Sequence, residues 1–208
     1  MTALLARLLG RMPVGWLQLT HNKGRLASAL AGVAFANVLV FVQIGIMGSL
    51  NQTTREAYGF LNADIMISAE DANTLTEGSN VARQWMLTAL ADPGITQGAA
   101  LYVGNLQWKQ AGHDTTLQVM AIDTARMSFL TPRIARKSEV LLLPDVAILD
   151  LKTRGMDPDQ LAGIRPHSPL QVEVTGRTLK FANTFEGGVG FAADGYVIAS
   201  AQTFLRLF

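Results

Sequence analysis

Residues 26–50 read LASALAGVAFANVLVFVQIGIMGSL, 25 consecutive positions without a charged side chain. Coiled as an α-helix, such a run rises about 37 Å, against a bilayer hydrocarbon core of about 30 Å. A helix satisfies its own backbone polar groups, which lipid cannot do, so the run predicts a transmembrane helix over 26–50. Its flanks set the orientation: Arg7, Arg11, Lys23 and Arg25 precede the run, and the first acidic residue is Glu56. An excess of Lys and Arg on one side predicts a cytoplasmic N-terminus.

The chain then divides into a basic, amphipathic flank (1–25), the span (26–50) and a domain on the far side of the membrane (51–208). Four of the 17 Lys and Arg lie before the span, which leaves 13 against 16 Asp and Glu beyond it. The net charge of +1 thus conceals a basic flank and a mildly acidic domain, and it gives no reason to expect nucleic acid as a partner. A cleaved signal peptide is the second reading, because Ala34-Phe35-Ala36 offers an A-x-A pattern. Against it, the basic region is long for a leader, and the apolar run continues for fourteen residues past that point.

Leu4–Leu19 spaces leucines around Arg7, Arg11 and Pro13, which suits a helix lying among lipid headgroups as well as it suits a plain basic flank. Arg11, Trp16, Lys23 and Arg25 are the expected membrane-interface anchors. Inside the span, Gly32, Ala36 and Gln43 fall near one stripe, with Ser28 on its edge, and small residues at that spacing let a second helix approach. Asn37 and Gln43 are polar at membrane depth and call for partners, although six residues set them about 120° apart. These five positions are the expected helix-packing interface.

Beyond residue 50 the pattern is mixed, and the expected fold class is α+β. Asn51 to Leu61 continues the helix, and Ala63 to Ser68 alternates as a strand does. A polar loop covers 69–79, and Val81 to Ala91 has helical spacing up to the turn Asp92-Pro93-Gly94. Ala99 to Lys109 and Thr115 to Ile122 read as strands about the turn Gln110 to Asp114. The stretch from Asp123 to Lys137, broken by Pro132, stays open. Val140 to Leu143 reads as a short buried strand, and Asp145 to Arg154 as a helix ended by Gly155. Leu170 to Phe185 is the clearest hairpin, with its turn at Gly176-Arg177. Tyr196 to Ala199 makes a last strand, and Ser200 caps a terminal helix.

Catalytic signals are sparse. The chain has no cysteine, which excludes thiolate nucleophiles and thiolate metal sites. His21, His113 and His167 share no H-x-x-x-H or H-E-x-x-H spacing. Asp157-Pro158-Asp159 reads as a helix-start or turn pair rather than an acid/base dyad, and Asp145 and Asp150 as exposed helix positions. The cluster Gly187-Gly188-Val189-Gly190 lacks the strand-to-helix setting of a dinucleotide loop and reads as glycines chosen for positive φ. Lys109, Arg133, Arg136 and Lys137 read as a solvated charge run rather than a basic docking face. No GxxxxGK[ST] loop occurs, so any dependence on ATP comes from a partner. The expectation is of no enzyme, no cofactor and no metal.

Two clusters of residues carry a family resemblance. The first is Trp16-Leu17-Gln18-Leu19-Thr20, Lys23-Gly24-Arg25-Leu26 and Ala31-Gly32-Val33-Ala34-Phe35-Ala36. The second is Thr175-Gly176-Arg177, Phe185-Glu186-Gly187-Gly188, Phe191-Ala192-Ala193-Asp194-Gly195 and Phe204-Leu205-Arg206-Leu207-Phe208. Together they resemble the DevC family of ABC-exporter permease subunits, related in architecture to MacB and other FtsX-like permeases. The resemblance implies a first transmembrane helix, a large periplasmic domain and three later spans, in the inner membrane of a bacterium.

It also implies partners: a cytoplasmic ATP-binding subunit, a periplasmic adaptor (membrane fusion) protein, an outer-membrane channel reached through that adaptor, membrane lipid, and a second copy in a homodimer. The cargo it implies is a lipid, glycolipid or other amphipathic molecule. The chain departs from the pattern where the later spans belong, so it resembles the N-terminal half of such a permease and is expected to be cut at its C-terminal end. The alternatives are a stand-alone anchored binding module and, last, a periplasmic enzyme on a signal anchor.

Overall fold

The computed structural model describes residues 15, 18, 21–110, 113–188, 190 and 193–208. They fall into two compact units, Met1–Leu50 and Asn51–Phe208. The long helix α1 covers Lys23–Glu56. Asn22 starts it: its side-chain oxygen accepts from Arg25 N at 3.1 Å, and its carbonyl accepts from Leu26 N at 3.0 Å. None of its residues is buried, and Phe41 and Met47 are more than 70% exposed. By length and composition α1 is able to cross a membrane.

The second unit is α+β. Beyond a 3₁₀ turn at Tyr58–Phe60, it comprises α2 (Arg83–Ala89), β1 (Leu101–Gln110), β2 (His113–Ile122), α3 (Pro132–Ala135), β3 (Val146–Asp150), α4 (Pro158–Gly163), β4 (Leu170–Val174), β5 (Arg177–Phe185), β6 (Gly195–Ser200) and α5 (Ala201–Leu207). Six strands make one mixed sheet in the order β1-β2-β6-β3-β5-β4. β2 with β6 and β3 with β5 are parallel; the other neighbours run antiparallel.

Period-two alternation sorts the central strands onto two cores. Ala147, Leu149, Val197 and Ala199 join Leu117, Phe181, Leu161, Phe204 and Leu207 on one face, beneath α4 and α5. Ile148, Tyr196 and Ile198 join Phe60, Met120, Leu130, Ile134 and Leu141 on the other. Helix starts follow the expected chemistry. Asp157 accepts from Asp159 N at 3.0 Å to open α4, and Ser200 Oγ accepts from Thr203 N at 3.2 Å to open α5.

Four local expectations fail, each for an identifiable reason. Asp145 to Arg154 is not a helix: residues 146–150 form β3, every one of them buried. A strand covered on both faces shows no alternation and so mimics a buried helix segment. Val140 to Leu143 is not a strand but part of the 3₁₀ turn Ser138–Leu142, in which Leu141 enters the core while Leu142 and Leu143 stand exposed. Ala63 to Ser68 alternates without a partner strand among the described residues, and Ile65 is 71% exposed. The hairpin turn is Thr175-Gly176, one position earlier than expected, because Val174 pairs with Arg177. Both turn residues have positive φ (51° and 72°), the geometry that matches strand twist.

Candidate functional site

Asp150 ends β3 and is fully buried. Its Oδ1 accepts from Lys152 N at 3.0 Å and from Gly187 N at 2.9 Å, while its Oδ2 has no partner among the described residues. Parallel pairing of β3 with β5 creates this contact, since Asp150 registers with Phe185 and the chain leaving β5 passes over the carboxylate two residues later. The backbone turns away beneath it, where Thr153 Oγ1 donates to the Asp150 carbonyl at 2.7 Å.

The last residue of α1, Glu56, brings a second carboxylate, whose Oε2 is likewise buried and unpartnered among the described residues. A helix C-terminus carries partial negative charge, which makes a carboxylate there unfavourable. The glycines of 187–190 hold these groups by giving way to them. A Cβ at Gly187 would lie 2.7 Å from Asp150 Oδ2, one at Gly188 would overlap the Glu56 carboxylate, and one at Gly190 would overlap the Tyr196 hydroxyl. None of the three has positive φ. Absence of side-chain bulk, not backbone freedom, is what these positions require, contrary to the sequence expectation.

Phe60 closes the cluster, its ring meeting Phe185 edge-on at 5.3 Å and Tyr196 at 4.9 Å. Burial pushes the Asp150 carboxyl above the usual carboxylate range; the amides of Lys152 and Gly187 and the Lys152 charge oppose that shift, and Glu56 adds to it. Burial, then the charges of Glu56 and Asp150, push the Tyr196 phenol up as well.

Outside this cluster lies a cleft of about 570 Å³, lined among others by Glu56, Arg133, Arg136, Lys137, Glu186 and Gly188. Arg133 pairs with Glu186 at 3.1 Å, and Lys137 Nζ donates to the Thr184 carbonyl at 2.6 Å. Three of the four residues read as a charge run therefore gather at one cleft, while Lys109 stays on β1.

The expected interface residues sit elsewhere. Ser28, Gly32, Ala36, Asn37 and Gln43 are all exposed on α1, and Ser28 Oγ donates back to the Gly24 carbonyl at 3.0 Å. Nothing lies within 4 Å of a Cβ built on Gly32, so the chain itself leaves room for a larger residue there. Lys23 and Arg25 stand exposed in the first turn; Arg11 and Trp16 lie outside the described residues. Among the described residues no three His, Asp or Glu side chains group as metal ligands do.

Asp145 and Asp150 are corrected together. Asp145 is a turn residue with φ of 58° that pairs with Arg206 at 3.2 Å, and Asp150 is a buried strand end. Sequence reasoning passed over Glu56 and misplaced Asp150 on an exposed helix, although each left a trace: Glu56 is the first acid in 56 residues, and Asp150 closes the apolar run Val146–Leu149. No protein-family model matches the chain, and no curated protein matches it at a significant level.

Proposed function

We propose that this chain is a transport component: the first span and extracytoplasmic domain of an exporter permease of the DevC type. α1 carries the reading, as an exposed apolar helix of 34 residues whose charge-free stretch follows a basic flank. In this reading the N-terminus lies in the cytoplasm of a bacterial inner membrane and residues 51–208 lie in the periplasm. A separate ATPase supplies the energy, since the sequence has no phosphate loop. The periplasmic domain meets an adaptor that leads to an outer-membrane channel, and two copies work together on a lipid, glycolipid or other amphipathic cargo. The test is the genomic DNA around this frame. Neighbouring frames for an ATPase and an adaptor, with further apolar spans, uphold the reading. Their absence favours the alternative, a single-span anchored binding module.

The expected helix-packing face has its own test. Because Gly32 has open space around it within the chain, Gly32→Leu should leave the fold intact while reducing α1 self-association in a membrane two-hybrid or cross-linking assay. Unchanged association would remove that face from the transport reading.

A further inference from the structure

We propose that the cleft beside Arg136 and Lys137 holds the anionic headgroup of a membrane phospholipid, which rests on α1 being a membrane anchor as in the reading above. Arg133, Arg136 and Lys137 stand at i, i+3 and i+4. One helical turn, begun as α3 and continued with helical φ and ψ at 136 and 137, puts all three on one side, and all three line the cleft.

Five charged residues line it, and their pairings leave a positive surplus. Glu186 is taken up by Arg133 at 3.1 Å. Glu56 keeps Oε2 buried, with its carboxylate where a Cβ on Gly188 would stand. Arg136 Nε donates to the Pro132 carbonyl and Lys137 Nζ to the Thr184 carbonyl, both neutral acceptors, so neither cation has a carboxylate partner among the described residues. The Nε bond steadies the exposed Arg136 guanidinium and leaves its Nη groups without partners among the described residues, a fork that fits two oxygens of a phosphate.

The floor of the cleft favours a headgroup over an acyl chain. Phe60, Ile134 and Phe185 line it but are themselves buried in the core, which leaves little apolar surface for a hydrocarbon tail. Chain reach names the source of the phosphate. Leu50 ends the charge-free run, and Glu56, at the wall of the cleft, follows six residues later. Six residues extend at most about 20 Å, so that wall stays within this distance of the end of the run however the two units are oriented. Headgroups fill about 5–8 Å beyond the hydrocarbon, and a tether of that length presents them at high effective concentration, which a soluble phosphate lacks.

The full chain in micelles of an uncharged detergent, titrated with dioctanoyl phosphatidylglycerol, should show a saturable rise in thermal midpoint. Arg136→Gln should raise the half-saturating lipid concentration about tenfold or more, as expected for losing a charge-assisted pair. Lys109→Gln removes the same charge from β1, away from the cleft, and should leave half-saturation unchanged. No saturable rise, unaltered binding by the Arg136→Gln chain, or equal weakening by Lys109→Gln would overturn the proposal. Glycerol phosphate, which does not enter the micelle, should need about a hundredfold more. Binding at the same concentration as the lipid would make this a site for a soluble anion and overturn the lipid assignment. Alkaline extraction of membranes separates the cleft from the anchor. A chain released with the peripheral proteins defeats the anchor reading and this proposal with it, whereas a chain retained but indifferent to phosphatidylglycerol defeats the proposal alone.

Discussion

Replacing Phe181 by alanine should cost about 3–5 kcal/mol of folding stability, the range for emptying a large aromatic site in a packed core. Phe181 is fully buried in β5, opposite Ala147 of β3 on one side and Leu170 of β4 on the other. Its ring sits 6.2 Å from that of Trp108, which links the middle of the sheet to β1 across the core beneath α4 and α5. Neighbouring strands hold the backbone on both sides, so the site cannot collapse to fill the void. Domains of this size have about 5–15 kcal/mol in total, and thermal unfolding monitored by circular dichroism should show a midpoint lower by roughly 10 °C. A midpoint within about 2 °C of the native chain's would mean that the core is not packed as described.

Gly195→Ala should cost about 1–3 kcal/mol by overpacking, despite adding only a methyl group at the start of β6. Its Cβ would stand 2.9 Å from the Thr153 Cβ and 2.8 Å from its Cγ2, and would overlap Oγ1. Thr153 has no free rotamer to retreat into, because it is buried and its hydroxyl is held by the Asp150 carbonyl. Gly195 also pairs with Leu117 of β2, so backbone retreat would disturb a parallel ladder. Adding Thr153→Ala removes the atoms that clash, and the double variant should be more stable than the sum of its parts predicts. Simple additivity of the two losses would show that the contact is not what limits position 195.

Where elements were legible in the sequence, one face met water or a cap announced an end. β1 is an example: Leu106 and Trp108 are buried between exposed Asn105, Gln107 and Lys109, so its period of two survives. Asp157 and Ser200 marked their helices because a side-chain oxygen three or fewer residues ahead satisfies an amide that the helix leaves unpaired. β3 was illegible for the opposite reason. Val146, Ala147, Ile148, Leu149 and Asp150 are all inside, Ala147 and Leu149 in one core and Ile148 in the other, and a pattern of uniform burial carries no period.

The same contrast separates the two kinds of functional residue. A charge-free run of 25 residues and a basic flank before it are properties of composition along the chain, and they define the apolar helix without reference to a fold. The approach of Glu56 and Asp150 to neighbouring glycines is not of that kind. The 93 residues between them say nothing of proximity; only the parallel register of β3 with β5 carries the chain on to Gly187 and Gly188, which lie against the two carboxylates. Hydrophobicity acts locally and can be read in order, whereas the energy of a buried charge depends on which distant groups the sheet brings beside it, and that is decided by tertiary structure alone.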